Sequence, residues 1–391
     1  KARGAPWYFC VLGRQRFRIV SHAVDLVDNE FFLSRFNDVY RSDCSTIRFD
    51  GTHAASEYNS RTDGVRNAFR DRWLITPSRT FENVLPHIRH PVNEAANRFS
   101  SYLYARDFIP YRSAADREGG LRYLQLCRRY GINHLMIKLT HLSTDKEEWG
   151  LLPAMNVYDH VPRSTEGGIE AFQDYIRDIQ GLGYKVLLYT DYHQFDPLAE
   201  FWNPDHAVQR SDGNWVDSWR HCYRLSPLAA PAIAEDMTRR ITETLGIDGT
   251  YLDESGSFPW GAITDHDARK PGAALARVAY QAQLGIPATE QRIHGGPSYG
   301  EGSAQWLWAG FLSGAYGQTY WPSWDHETAW LVDFELRKVH PLMTNLSMGY
   351  AFSRYGGLPE DDPQWALDRW HAAAMAFGRA GAFKVPFETK A

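Results

Sequence analysis

Several features are scarce in this sequence, and each absence argues against a class of protein. Only four of the 391 residues are cysteines. They are far apart and lack zinc-finger spacing, so we expect buried thiols rather than a disulfide framework: Cys10, Cys44, Cys127 and Cys222. No apolar run reaches the roughly 18 residues of a membrane span. The net charge is −5 and the basic residues are scattered, which argues against nucleic acid or an anionic membrane as a partner.

The start of the chain carries little information about location. It begins at Lys1 without the charged and apolar regions of a signal peptide, which fits a fragment or a removed leader. The compartment is therefore open, with a secreted or periplasmic location favoured over a cytoplasmic one. The oligomeric state is also open.

Aromatic residues are abundant. The chain has 14 Trp, 21 Tyr and 20 Phe, together 14% of its residues. Most are expected to pack in the core. Those in residues 191–193 and 320–324 stand among Asp, His and Ser, where an aromatic face can stack on a sugar ring while polar neighbours bind its hydroxyl groups. These segments indicate a carbohydrate partner.

Residues 1–92 have the pattern of short β-strands. Strand-like apolar runs lie at 7–12, 17–20, 46–49 and 73–75 and are bounded by glycine and polar residues. We interpret this region as a β-sandwich domain.

Residues 93–391 alternate between strands and helices of ten or more residues, which favours a parallel sheet. The predicted strands are 99–108, 134–139, 184–189, 249–252, 297–301, 319–324 and 346–352. The predicted helices are 115–130, 169–180, 229–245, 273–284, 304–315, 329–343 and 365–379. A doubly wound sheet alternates in the same way, but it usually carries a glycine-rich phosphate loop after its first strand, and none follows here. The predicted fold is therefore α/β: a (β/α)8 TIM barrel after the β-sandwich.

Acidic residues follow three successive predicted strands. Asp191, Asp253 and Glu301 each come at the carboxyl end of a strand, the end that forms the active-site mouth of a barrel. Glycosidic cleavage needs two carboxyl groups, one to protonate the leaving oxygen and one to attack the anomeric carbon or activate water. Asp253 suits the charged role because a short rigid strand precedes it. Glu301 suits the acid because glycines flank it and apolar residues follow, which raise a carboxyl pKa.

The same residues could instead have purely structural roles. Asp253 could cap the next helix, and Asp191 could stabilise a loop. Glu290 replaces Glu301 as the acid if residues 286–289 form the fifth strand. We prefer Glu301 because Pro287 suits the start of a helical turn.

The remaining predicted site residues would bind the sugar. They are Lys138, His141, Asp191, Tyr192, His193, Glu254, Trp321, Trp324 and Asp325. No cofactor is needed for this chemistry, and no histidine pair has metal-ligand spacing, so no metal is predicted. Two alternatives stay open: a non-catalytic carbohydrate-binding barrel, and a metal-dependent hydrolase or lyase with ligands near residues 325–327.

The segment Asp-Gly-Thr-Tyr-Leu-Asp at 248–253 resembles the nucleophile strand of endo-α-N-acetylgalactosaminidase-like barrel hydrolases. The segments around 300–317 and 333–350 are similar to a pattern in uncharacterised bacterial barrel hydrolases. The resemblance implies that Asp253 attacks the anomeric carbon and that a Glu on the following strand is the acid, matching Glu301 better than Glu290. It also implies a β-sandwich before the barrel.

Overall fold

The protein is described from a computed structural model. The structure describes residues 7–11, 32–37, 46–49, 54–57, 73–78, 98–99, 101–106, 114–139, 167–197, 199, 202–218, 222–253, 265–267, 269–270, 276–301, 312–316, 346–347 and 382–384. The chain divides into two compact units. One comprises residues 1–90, 203–230 and 258–284, and the other comprises residues 91–202, 231–257 and 285–391.

The first unit contains antiparallel strands. A three-stranded sheet has the order β1–β2–β5, with β1 at Trp7–Val11, β2 at Phe32–Asn37 and β5 at Trp73–Ser78. A separate pair of antiparallel strands consists of β3 (Thr46–Phe49) and β4 (Ala54–Glu57). A β-sandwich further requires two sheets packed face to face, and that packing stays a prediction for residues 1–92. The predicted strand at 17–20 lies outside the described residues.

The second unit is built on a sheet of eight strands. Every neighbouring pair in it is parallel, and the order is β14–β13–β12–β11–β8–β7–β6–β15. Its strands are β6 (Leu103–Arg106), β7 (Leu135–Leu139), β8 (Lys185–Thr190), β11 (Gly249–Leu252), β12 (Ser298–Glu301), β13 (Gly314–Tyr316), β14 (Leu346–Ser347) and β15 (Ala382–Lys384). The last described strand, β15, lies beside β6, which is the first strand of this sheet in the sequence, as in a barrel whose strands follow one another around a ring. The described residues contain seven of the eight neighbour pairs of such a ring.

The central strands are apolar because helices and core cover both of their faces. All residues of β7 and of β11 are buried, as are the last five of β8. The strand side chains alternate between two faces. Met136, Leu187, Tyr189, Tyr251 and Tyr299 pack together with Phe99 on one face, which we call the inner face. The opposite face, called the helix face, carries Thr250 and Ser298.

Helices follow the strands as the sequence pattern predicts. They are α1 (Ala114–Arg129), α2 (Gly168–Gly181), α3 (Ala230–Leu245) and α4 (Ala276–His294). In α2 the buried residues are Phe172, Tyr175, Ile176 and Ile179, the spacing of a single apolar stripe. Short elements complete the description: β9 (Gln194–Phe195), a 3₁₀ helix (Pro204–His206) and β10 (Tyr223–Arg224). In the described part of the chain, no helix combines the length and apolar character needed to cross a bilayer.

Two sequence predictions about the helices are wrong. The helix predicted at 273–284 continues through Pro287 to His294, because packing that buries Leu284, Ile286 and Glu290 outweighs the helix-breaking tendency of proline. The helix predicted at 304–315 cannot extend to its predicted end, because strand β13 begins at Gly314. The predicted elements at 319–324, 329–343 and 365–379 lie outside the described residues.

Candidate active site

Asp253 follows the last residue of β11 and is held by the neighbouring strand. Its backbone N–H donates to the carbonyl oxygen of Thr190, 2.8 Å away, so β8–β11 pairing extends one residue beyond the strand. The hydroxyl group of Tyr189 donates to the Asp253 carboxylate. The side chain is only partly buried. Asp253 therefore presents a rigidly placed carboxylate at the carboxyl end of the sheet, on the inner face.

Lys138 lies on the same face. It is 3% exposed, and its Nζ atom is 4.0 Å from the centre of the Tyr251 ring and 5.5 Å from that of Tyr189. The two tyrosine rings are themselves 5.6 Å apart. A lysine charge over aromatic faces is stabilised by the ring quadrupoles. The structure thus brings a cation, two tyrosines and a carboxylate together across three adjacent strands.

Asp191 and His193 form a tight turn directly after β8. The backbone N–H of His193 donates to Oδ1 of Asp191 over 2.7 Å. Both side chains are buried, at 1% and 5% exposure. This hydrogen bond is the loop-stabilising role that the sequence left open for Asp191. A role of either residue in sugar binding stays a prediction.

Glu301 is the last residue of β12, as the sequence predicted for the end of the fifth strand. The β11–β12 register pairs Tyr251 with Tyr299 and Leu252 with Gly300. Continued by one residue, this register would bring position 253 beside position 301. The description of Glu301 is confined to its backbone, and His141, Glu254, Trp321, Trp324 and Asp325 lie outside the described residues.

Glu290 occupies a different environment. Residues 286–289 are part of α4, so the condition under which Glu290 would replace Glu301 is not met. Its side chain is fully buried and bonded to Thr250 of β11, at 2.7 Å, which is on the helix face. Burial raises the pKa of Glu290 to about 7, against the lowering effect of bonds from Thr250, Ser298 and Tyr192.

Tyr192 belongs to the Glu290 environment. Its hydroxyl group donates to Oε1 of Glu290 over 3.2 Å, and the side chain is 4% exposed. Burial and the neighbouring Glu290 raise the pKa of Tyr192 well above its usual value. The sequence grouped Tyr192 with Asp191 and His193, whereas the structure directs its hydroxyl group to the helix face.

Sequence reasoning missed Tyr189 and Tyr251. The signal was present, because Tyr189 precedes Asp191 by two residues and Tyr251 precedes Asp253 by two residues, and strand side chains alternate with a period of two. Among the described residues, no cluster of three His, Cys, Asp or Glu side chains could hold a metal ion.

Comparison with known proteins relates the chain to glycosidases through its fold. No protein-family model matches the sequence, and no curated protein sequence matches it. Among solved structures, it resembles an α-N-acetylgalactosaminidase from Bifidobacterium bifidum, a quadruple mutant, with a TM-score of 0.59 and 12% identity. That match covers 98% of this chain and 64% of the other.

Two further matches have the same character. An α-galactosidase from Thermus thermophilus in complex with stachyose matches with a TM-score of 0.52 and 14% identity, covering 90% of this chain and 74% of that one. A maltogenic α-amylase from Thermotoga neapolitana matches with a TM-score of 0.50 and 12% identity, covering 74% and 68%. The chain spans between 52% and 64% of the four α-N-acetylgalactosaminidase structures that it matches. At these identities the comparisons show a shared fold, that of glycoside hydrolase barrels.

Proposed function

We propose that the protein is a glycoside hydrolase that cleaves O-glycosidic bonds with retention of anomeric configuration. Asp253 is the nucleophile and Glu301 the general acid and base. The register of β11 and β12 supports this proposal, because its continuation by one residue would bring positions 253 and 301 side by side at the carboxyl end of a parallel sheet. That end is the active-site face of barrel enzymes.

The spacing of neighbouring strands favours retention. Strands in a sheet lie about 4.8 Å apart, so carboxyl groups at paired positions of two neighbouring strands are separated by a similar distance. Retaining enzymes have carboxyl groups roughly 5 to 5.5 Å apart, whereas inverting enzymes need roughly 6.5 to 9.5 Å to admit a water molecule. Adjacent strands therefore suit direct attack on the sugar.

The reaction takes place in two steps. The Asp253 carboxylate attacks the anomeric carbon while Glu301 gives its proton to the departing glycosidic oxygen, which leaves a glycosyl ester on Asp253. The Glu301 carboxylate then takes a proton from water, whose oxygen bonds to the anomeric carbon and releases Asp253. The hydrogen bond from Tyr189 orients the nucleophile, and no cofactor takes part.

Other polar groups would bind the sugar. Lys138, Asp191 and His193 lie at the ends of the two strands before β11 and suit hydroxyl recognition. His141, Glu254, Trp321, Trp324 and Asp325 complete the proposed set, with the tryptophans as a stacking wall. Tyr192 is left out because its hydroxyl group is bonded to Glu290.

The substrate is proposed to be an α-linked glycoside. The three kinds of structural neighbour are named as an α-N-acetylgalactosaminidase, an α-galactosidase and an α-amylase. Galactose-configured sugars are the first choice because two of the three names specify them. The closed eight-stranded barrel and the N-terminal β-sandwich are part of the same proposal.

The test is a screen of aryl α-glycosides with NMR detection of the product anomer. We expect release of an α-anomer first, and Asp253→Asn should abolish it. Asp248→Asn is the matched control, since Asp248 directly precedes the same strand at the opposite end and accepts hydrogen bonds from Lys185 and from the N–H of Val186. That substitution should lower stability and spare turnover.

Three results would contradict the proposal. Near-normal turnover by Asp253→Asn excludes Asp253 as nucleophile. Glycan binding without hydrolysis of any bound glycan favours a carbohydrate-binding barrel. Activity that disappears with a chelator and returns with a divalent ion favours the metal-dependent alternative.

A further inference from the structure

Glu290 contacts three chain segments that carry proposed site residues. Its carboxyl group is bonded to Thr250, to Ser298 and to Tyr192. Thr250 precedes Asp253 by three residues, and Ser298 precedes Glu301 by three residues. Tyr192 directly follows Asp191. A single buried side chain on α4 is therefore hydrogen-bonded to the segments that carry Asp191, Asp253 and Glu301.

The hydroxyl groups around Glu290 also bind one another. Oγ1 of Thr250 is 3.2 Å from Oγ of Ser298, which is paired with it in the β11–β12 register. The single Ser298 proton can alternatively be donated to the carbonyl oxygen of Pro287, 3.4 Å away, which connects β12 to α4. The network therefore connects neighbouring strands as well as strand and helix.

His294, one turn further along α4, determines how protons are arranged in this network. The backbone N–H of Gly296 donates to Nδ1 of His294 over 3.0 Å, so Nδ1 has no proton and the ring is neutral. The Nε2 atom then carries the proton and donates to Thr250, 3.3 Å away. Burial lowers the pKa of His294 to about 4, with Asp248 and Arg98 as its charged neighbours.

Among the residues that the structure describes, no cation lies beside Glu290 as a counter-charge. Its partners in the described part of the chain are hydroxyl groups, and no charged group contributes to its pKa shift. A buried carboxylate without a counter-charge is expensive, so the group keeps its proton. When Glu290 carries the proton it donates to the Tyr192 oxygen, and the Tyr192 hydroxyl then donates to Thr190 or Thr238 instead, whose own protons go to the carbonyl oxygens of Tyr251 and Ala234.

We propose that Glu290 is a positioning residue, which as a neutral carboxylic acid ties together the three segments that bear Asp191, Asp253 and Glu301. The proposal rests on the function proposed above for those three residues. Glutamine reproduces the shape and hydrogen bonds of a neutral acid, whereas methionine matches its size without hydrogen bonds. This pair of substitutions separates positioning from proton transfer.

The kinetic test compares Glu290→Gln, Glu290→Met and Glu301→Gln on an aryl glycoside. Glu290→Gln should keep kcat within about threefold of wild type, and Glu290→Met should lower kcat about tenfold with little change in KM, since one to two kcal/mol of alignment is lost. Glu301→Gln, the proposed acid, should lose more than about a hundredfold. If Glu290→Gln is as damaged as Glu290→Met, or if Glu290→Met keeps full kcat, the proposal is overturned.

Two readouts do not need turnover. Hydrogen exchange should be faster in Glu290→Met than in wild type for peptides spanning 188–194 and 249–253, and unchanged in Glu290→Gln. The infrared difference spectrum of wild type minus Glu290→Gln at pH 6 should contain a protonated carboxyl band. Unchanged exchange in Glu290→Met or absence of the band overturns the inference, even if the protein hydrolyses no glycoside.

Two milder variants keep the proposal testable if Glu290→Met does not fold. Thr250→Val and Tyr192→Phe each remove one hydrogen bond to Glu290 and keep the shape of the side chain. Each should speed exchange in the segment that it loosens, 249–253 or 188–194, while leaving the other segment closer to wild type. Exchange rates equal to wild type in both variants also reject the proposal.

Discussion

A carboxyl group lies on each side of strand β11, and the two groups differ in exposure, in hydrogen-bond partners and in position. Asp253 lies at the end of the strand, partly exposed, with a tyrosine hydroxyl group as partner on the inner face. Glu290 lies behind the strand, fully sealed from solvent, among hydroxyl groups on the helix face. The comparison teaches that a carboxyl group at an accessible strand end can contact a substrate, whereas a carboxyl group enclosed by helices can only make structural hydrogen bonds.

The largest expected effect is on the inner face. Asp253→Ala should reduce hydrolysis of an activated aryl glycoside by at least about a thousandfold, because the attacking carboxylate is lost. Added azide can then enter the space and displace the leaving group directly, giving a glycosyl azide of inverted configuration. Product NMR checks this. A product with retained configuration would show that Asp253 is not the nucleophile.

The second prediction concerns the helix face and unfolding. From about pH 4.5 to 6.5 the Glu290–His294 pair binds one proton when folded, on Glu290, and one when unfolded, on His294. The pair therefore adds no pH dependence to wild-type stability. His294→Asn removes the compensating proton, so the contribution of Glu290 to the free energy of unfolding becomes measurable. This contribution is complete below about pH 4.5 and is lost as the pH rises through about 7, which amounts to about 3 kcal/mol.

Glu290→Gln is the matched variant and should have the opposite slope relative to wild type. In this variant the contribution of His294 to the free energy of unfolding is complete above 6.5, the pKa of an unfolded histidine, and is lost as the pH falls toward about 4. Urea unfolding at several pH values measures both slopes. Slopes of the same sign in the two variants would show that the proton is placed differently.

A smaller effect is expected from Tyr189→Phe, which removes the hydroxyl group that donates to Asp253. A hydrogen bond to a charged group contributes about 1.5 to 3 kcal/mol, so kcat should fall by roughly ten- to a hundredfold. The acid limb of the pH profile should move upward, because the carboxylate loses a donor. Tyr184→Phe is the control, since its hydroxyl group binds the carbonyl oxygen of Ile132 and not a site residue. Equal losses in both variants would attribute the effect to stability.

The smallest predicted effect is that of Lys138→Met. The substitution keeps the buried stem and removes the ammonium group over the Tyr251 and Tyr189 rings. We expect kcat/KM to fall about tenfold, in line with a cation–π contribution of about 1 to 2 kcal/mol. Substrate kinetics and calorimetry together check the result. Unchanged kinetics with lower stability would restrict Lys138 to packing.

The sequence predicted the strand that carries Asp253 with correct bounds, 249–252, because a short apolar run bounded by glycine and polar residues is a local signal. It also placed Glu301 at the end of the following strand. The division at 92 and the site roles remain predictions. The predicted end of α4 was wrong: the sequence suggested a helix ending at 284 and a separate helical turn starting at Pro287, whereas the structure has one continuous helix through both.

The partners of each side chain could not be read from the sequence. Nothing in residues 186–196 indicates that the hydroxyl group of Tyr189 meets Asp253 while that of Tyr192 meets Glu290, since these contacts join positions 64 and 98 residues apart. They depend on strand order and register, which are set by packing across the whole sheet.

The sequence by itself determined the alternation of apolar strands with amphipathic helices and the acidic residues that follow successive strands, because both are patterns within a few neighbouring residues. Only the tertiary structure decided that Asp253 and Glu290 lie on opposite sides of one strand, and that Lys138 and two tyrosines lie beside the first. The reason is physical: burial, hydrogen bonding and charge depend on which distant segments meet, and that is a property of the packed chain.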